Sequence, residues 1–255
     1  MDTNQQQPRN QRPTEPPPQG NLPGGPRERI VGQLQCLDGR TLTERQLQDL
    51  SRELLGVYAK GFMHSREAVA QRADEFLADL RDHLTSSQRL LIFRDGPLRA
   101  VLCGLVVERP ARKSYEYCPG LVEYPAEKIY HLGGLLLDPE LQRKGLGAYL
   151  LSMELENTEA TVLSFHTQNR NMVKLAEKVA TLCHALSCEM AGQLQTLHRD
   201  LDSLSCIDRG RYGGKPLYGD LAKLRSIGIP GLDLDRGDAQ FFAGRVKPVT
   251  KENSL

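Results

Sequence analysis

Residues Leu135 to Leu151 read LLLDPELQRKGLGAYLL: an apolar run stops at an Asp-Pro turn, and a basic, glycine-spaced segment then opens a second apolar stretch. The order predicts strand, turn and helix. Gly145 and Gly147 remove side chains where a ligand would approach the backbone. The first N–H groups of the following helix, with its dipole, favour an anion at that point. Gln142, Arg143 and Lys144 add donors and positive charge at the same edge. The segment has the layout of a phosphate cradle, suited to a pyrophosphate.

The flanks extend the pattern. Lys128 to Leu137 reads as a strand, Asp138-Pro139-Glu140 as the turn, Ala148-Tyr149-Leu150-Leu151 as the start of the helix, Thr161 to His166 as a second strand, and Asn169 follows it. In this setting Gln142-Arg143-Lys144-Gly145-Leu146-Gly147 resembles the Q/R-x-x-G-x-G/A signature of the GCN5-related N-acetyltransferases, the GNAT superfamily. The resemblance covers Gln88 to Lys178. It implies acetyl-coenzyme A as co-substrate, its pyrophosphate held by Gln142 through Ala148 (Gln142, Arg143, Lys144, Gly145, Leu146, Gly147 and Ala148), with Asn169 as a further contact. It also implies that the strand backbone at Leu135 and Leu137 pairs with the pantetheine arm while Leu136 faces the other way. The implied reaction is direct transfer of an acetyl group to a primary amine of a small molecule or protein.

Such a transfer needs a base for the amine proton and an acid for the leaving thiolate. Counting back from Gly145 puts His131 where several family members carry a glutamate or histidine base, with Glu123 and Glu127 in reserve should the register slip. A core histidine is the competing reading. Many relatives place a proton-donating tyrosine seven residues after the asparagine, which here is Ala176, so the acid is unassigned. Tyr212 or Tyr218 of GRYGGKPLYGD could return to the site, although a glycine-rich surface hairpin is the simpler reading. Between the third and fourth strands, Pro110 to Ala126 reads as a loop whose Tyr115, Tyr117 and Tyr124 beside Glu116 and Glu123 suit an amine or cation, or simply pack on the sheet.

Other readings rank lower. A Rossmann fingerprint wants its strand directly before the first glycine and a third glycine where Leu150 stands. A plain strand–turn–helix connection with solvated basic residues is the bland alternative. The alternative from another class is a catalytically weak coenzyme A binding module that recruits a partner through a long helix.

That helix is expected from Met172 to Leu204, where Leu175, Val179, Leu182, Leu186, Met190, Leu194, Leu197 and Leu201 recur at three or four residue intervals without a proline. It either wraps the sheet, the favoured reading, or pairs with a second subunit as a homodimer. Upstream, Leu47, Leu50, Leu54, Leu55 and Tyr58 mark one helix, capped by Thr41 or Thr43 and broken at Gly61. Val69, Ala73, Phe76, Leu77, Leu80 and Leu84 mark a second helix from about Ser65. Tyr58, Phe62 and His64, between the two, are placed either to cover an acceptor pocket or to pack. Strands Arg89 to Arg94 and Leu98 to Glu108 follow, joined by Asp95-Gly96-Pro97, and Gln240 to Val246 is a last strand.

The 33 Lys and Arg against 32 Asp and Glu give no electrostatic footprint for nucleic acid. No stretch approaches the ~20 apolar residues of a membrane span, and a secretion signal is not seen, so a cytoplasmic protein is expected. Six cysteines form no C-x-x-C pair, and Cys183-His184 with Cys188 match no zinc spacing, so reduced thiols and no metal are expected. Residues 1–27 are rich in Gln, Pro and Gly and are expected to be a disordered tail. The fold class is therefore a GNAT-like mixed α/β (α+β) domain over residues 28–250, with a mostly antiparallel central sheet flanked by helices and a long helix after the core.

Overall fold

A computed structural model describes residues 32–114, 122–124, 126–194 and 200–248. The expected tail at 1–27 lies outside them, as do Tyr115, Glu116 and Tyr117 and the side chains of Glu123 and Tyr124.

Helix α1 (Glu44–Gly61) starts at a capping box in which the Thr43 hydroxyl accepts from the Gln46 N–H and the Gln46 side chain accepts from the Thr43 N–H. The face bearing Leu47, Leu50, Leu54, Val57 and Tyr58 is buried. The second expected helix is two, α2 (Arg66–Gln71), capped by Ser65, and α3 (Ala73–Ser86). They part at Arg72, whose backbone leaves helical geometry and whose guanidinium grips Glu75.

Strand β1 (Gln33–Leu37) lies antiparallel on β2 (Arg89–Arg94), and β2 turns at Gly96 into β3 (Leu98–Arg109). Part of the segment expected as a loop forms a separate pair, β4 (Arg112–Ser114) with β5 (Val122–Tyr124). The chain continues through β6 (Glu127–Leu137), α4 (Leu146–Thr158), β7 (Val162–Thr167), α5 (Arg170–Val179), β8 (Ala180–Leu182), α6 (His184–Leu194), β9 (Ile207–Asp208), α7 (Leu221–Ile227) and β10 (Ala239–Val246).

The main sheet runs β1-β2-β3-β6-β7-β10-β8, with β9 also on β10. Among the described strands the β6–β7 pair alone is parallel. This is the mixed, mostly antiparallel sheet flanked by helices expected of the GNAT fold. Both faces are buried, so strand residues alternate between two cores: Leu91 and Phe93 of β2 pack under α4 and α5, Leu90 and Ile92 under α1 and α3. A third core forms under α6 around Val162, Met190, Phe241 and Ala243. Helix α4 is also pinned electrostatically, because the buried Glu154 carboxylate accepts two bonds from Arg89 at 2.9 and 3.0 Å. Removing one partner of such a buried pair costs about 3–5 kcal/mol.

The long helix expected after the core is not present. The chain leaves α5 at Val179 and runs extended through Ala180, Thr181 and Leu182, which pair with Val246, Arg245 and Gly244 of β10. The apolar spacing persists across the break because strand residues and helix residues serve different cores there. Sheet pairing satisfies the backbone at this point, and Ser187, accepting from the Ala243 N–H, anchors α6 against β10. Among the described residues no helix is long and apolar enough to cross a membrane.

Candidate functional site

The parallel pairing of β6 and β7 runs only from Ile129↔Val162 to Leu132↔Phe165. Beyond Leu132 the strands part, while β6 stays paired on its other edge to β3 as far as Leu137↔Ala100. The β7-facing edge of Gly133–Leu137 therefore borders a cleft of about 650 Å³, within the range of small-ligand sites. A bulge prepares the parting: Cys103 faces Gly134 and Gly104 faces Leu132, so Gly133 has no partner. The extra residue resets the alternation, and Leu132, Leu135 and Leu137 share the α4 core while Leu136 enters the α1/α3 core. The Gly133-Gly134 pair inside a strand pattern is the signal that would have located this bulge.

At one end of the cleft stands the glycine turn. Asp138 is buried between Lys60 at 3.3 Å and Arg99 at 3.4 Å and accepts from the Glu140 N–H, fixing a short 3₁₀ turn at Pro139–Leu141. Arg143 and Gly145 then take left-handed backbone at φ 63° and 89°, and Gly145 caps α4 with no side-chain acceptor for the helix's first N–H groups. Space beside Gly145 is open, whereas a Cβ on Gly147 would meet Leu175 at 2.7 Å and Leu137 at 3.0 Å. Free helix N–H groups, a left-handed glycine and adjacent Gln142 and Arg143 make a donor set that fits a phosphate or pyrophosphate. Gln142, Arg143, Gly145, Gly147 and Ala148 line the cleft. The Leu146 side chain is buried in the core and Lys144 is not among the lining residues, so Leu146 can offer only backbone here. Lys174 and Lys178 of α5 also line the cleft, cations that strand–turn–helix reasoning did not single out.

The other end is built from side chains distant in sequence. Asn169 caps α5 through the Asn171 N–H at 2.8 Å and directs its amide N–H at the Tyr218 hydroxyl, 3.4 Å away. Tyr218 is half-buried, edge-on to Phe62 with ring centroids 5.1 Å apart. Burial raises its pKa, partly offset by the bond from Asn169. The GRYGGKPLYGD segment is thus not a detached surface hairpin. It returns to the cleft, held by the Gly219 N–H on the Phe62 carbonyl at 2.9 Å, by His64 on the Leu217 carbonyl at 3.1 Å and by Lys215 on Glu75 at 2.9 Å.

An adjoining recess of about 340 Å³ shares Tyr58, Asp79, His83, Leu132, Gly133 and His166 with the cleft. Tyr58 donates to the Asp79 carboxylate at 3.0 Å, and His83 stands 3.9 Å from the same group. Burial first, then Asp79, pushes the Tyr58 hydroxyl far up, so Tyr58 remains a donor. His131 lines this recess, half-buried, with Nδ1 3.0 Å from the Ser164 hydroxyl. His166 packs edge-on to it and meets Asp208 at 3.3 Å. Asp79 and His83 went unrecognised in the sequence because they read as ordinary polar positions on an amphipathic helix. Of the reserve bases, Glu127 is excluded: it is buried in ion pairs with Arg109 and Arg245 and lines neither cavity. The Glu123 side chain lies outside the described residues.

No protein-family model and no curated protein matches the sequence. Similar solved structures include the ribosomal-protein-S18-alanine N-acetyltransferase from Escherichia coli, 16% identical over 86% of this chain and 97% of that one, TM-score 0.37. An IAA acetyltransferase from Bacillus cereus is 11% identical over 84% and 98%, TM-score 0.38. Naa20 from Chaetomium thermophilum, solved in complex with a bisubstrate analogue, is 11% identical over 84% and 86%, TM-score 0.38. Likeness at this level identifies neither a substrate nor the role of any residue.

Proposed function

We infer that this chain is a GNAT-superfamily N-acetyltransferase that moves an acetyl group from acetyl-coenzyme A to a primary amine by direct attack. The observation that carries the reading is the continuity of the cleft. One end offers backbone donors for a pyrophosphate, the middle is bordered by an unpaired strand edge, and the far end gathers titratable side chains. Gln142, Arg143, Gly145, Gly147 and Ala148, with the backbone of Leu146, would hold the pyrophosphate, Lys144 would add positive charge beside it, Leu135 and Leu137 would align the pantetheine arm, and Asn169 would contact the coenzyme A. When bound, acetyl-coenzyme A supplies an activated thioester.

The chain's own residues handle the protons and the geometry. His131 accepts the amine proton, directly or through water, from the recess it lines. Asp79, steadied by Tyr58, draws the incoming ammonium toward that recess. Tyr218 keeps its proton at neutral pH because burial raises its pKa, and Asn169 donates to its oxygen, which leaves the hydroxyl hydrogen free to aim at the cleft. Tyr218 thereby fills the role left open by Ala176, which packs in the core. Residues on α1, α3 and the 211–218 segment wall the site and limit water.

The test is the thermal midpoint of the protein with millimolar acetyl-coenzyme A, with NAD in parallel, followed by thiol release with a panel of amines. A rise with the acetyl donor alone and amine-dependent thiol release are expected. Absence of a rise, or an equal rise with NAD, would sink the reading. Binding without amine-dependent turnover would instead favour the catalytically weak module.

A further inference from the structure

Helix α6 carries His184 and Cys188 one turn apart, on one face. Cys206, eighteen residues beyond Cys188, is brought to the same face by the segment leading into β9. The Cys188 sulfur lies 3.4 Å from His184 Nε2 and 3.4 Å from the Cys206 sulfur, and all three donor atoms fall within 4.8 Å of one another. We propose that His184, Cys188 and Cys206 bind a thiophilic divalent cation, zinc by donor type, which clamps α6 to the segment entering β9.

The spacing supports one shared ion. Tetrahedral zinc with Zn–S of about 2.3 Å and Zn–N of about 2.05 Å places its ligands about 3.8 Å apart for two sulfurs and about 3.6 Å for sulfur and nitrogen. The two separations from Cys188 are within a few tenths of an ångström of these, and His184 and Cys206, within 4.8 Å of each other, would draw together on binding. They are too long for a disulfide, whose sulfurs stand about 2.05 Å apart. Two thiolates and an imidazole select zinc over the hard cations that prefer oxygen.

Cys206 is held firmly in place by its backbone. It is a non-glycine residue held at φ 56°, a left-handed backbone unfavourable for L-residues. Its backbone is over-determined: the N–H donates to the Asp202 carbonyl at 2.7 Å, while its carbonyl accepts from the Phe241 N–H at 2.8 Å and from Gln240 at 3.2 Å. The strained conformation fixes a buried sulfur opposite Cys188, as a preformed ligand site requires. His184 is exposed, so water can reach the cluster from its side and supply a fourth ligand. The clamp lies at the root of the returning segment, since Asp208 at the end of β9 meets His166 and the chain continues from there to Tyr218. The cation's role is to hold that root, and acetyl transfer need not involve it.

The test uses the full reduced chain, freed of metal and titrated with Co²⁺ and then Zn²⁺. Expected are about one ion per chain, a thiolate-to-cobalt charge-transfer band with the visible bands of a four-coordinate site, displacement of cobalt by zinc, and a raised thermal midpoint. Cys188→Ser and Cys206→Ser should each lose about half of the charge-transfer intensity. His184→Ala, at an exposed position, keeps the fold and the band while weakening affinity by roughly tenfold or more. No band in the reduced protein, a band undiminished in both cysteine variants, or substoichiometric zinc at saturation would overturn the proposal. So would a Cys188–Cys206 disulfide by peptide mapping together with a reduced form that takes up no metal.

Discussion

The two ends of the cleft are made differently. The cradle end is backbone from a single run of chain: a capped 3₁₀ turn, two left-handed residues and a helix N-terminus within Asp138–Ala148. The other end is side chains from α1, α3, β6, β7 and the 211–218 segment, joined by bonds that span as many as 153 residues, as between His64 and Leu217. A backbone site tolerates change at most of its side chains but not at its glycines. A side-chain site is vulnerable at each contributor, yet no single change dismantles it. Ligand selectivity on this chain should therefore divide: donor affinity follows the turn, and amine preference follows the distant segments.

The sharpest way to break that contrast is at Gly145. Gly145→Asp forces a β-carbon into φ 89° and sets a carboxylate where the proposed pyrophosphate would bind. It should weaken acetyl-coenzyme A by more than about 100-fold by calorimetry, about 2.7 kcal/mol. Gly145→Asn, which tolerates left-handed backbone and adds no charge, should recover most of the affinity. Equal losses in the two variants would mean that strain, and not charge, governs the turn.

Next come the residues proposed to handle protons. Tyr218→Phe keeps the packing on Phe62 and should lower kcat by about 100-fold with donor affinity unchanged. Because Tyr218 titrates above its ordinary range, no alkaline loss of kcat from this group should appear below about pH 10. His131→Ala should lower turnover by a similar factor, whereas His83→Ala should act mainly on the KM for the amine. An exchange of those two signatures would move the base to α3.

The smallest effect expected is on the tether of the returning segment. Arg72, then Lys215, holds the Glu75 carboxyl down at about 2. A depressed carboxyl contributes stability above the unfolded value of about 4.3, and that contribution is lost as pH falls from there toward 2. The group is exposed, so Glu75→Gln should change global stability little. It should raise the amine KM by a few fold and speed proteolytic nicking near Gly213-Gly214. A KM unaffected by Glu75→Gln would show that the segment is held without this pair.

Most of the fold was legible because its signals are local. The Thr43 box, the Asp95-Gly96-Pro97 turn, the boundaries of β2 and the onset of α4 all depend on residues within a few positions of one another. The failure after Met172 has the same origin. Leu175, Val179, Leu182, Leu186 and Met190 keep a helical interval, but hydrogen bonds from β10 pull Ala180–Leu182 into the sheet, and periodicity carries no record of a strand some 64 residues away.

The sequence by itself determined the glycine turn, because the conformations of Arg143 and Gly145 and the uncapped N–H groups of α4 arise within one short segment. Only the tertiary structure decided which groups face that turn across the cleft. Tyr218 reaches Asn169, Asp79 stands between Tyr58 and His83, and Cys206 meets Cys188 because the sheet order and its single parallel splay bring distant segments together. Backbone geometry is a short-range property of the chain, whereas the meeting of remote side chains is set by the packing of layers.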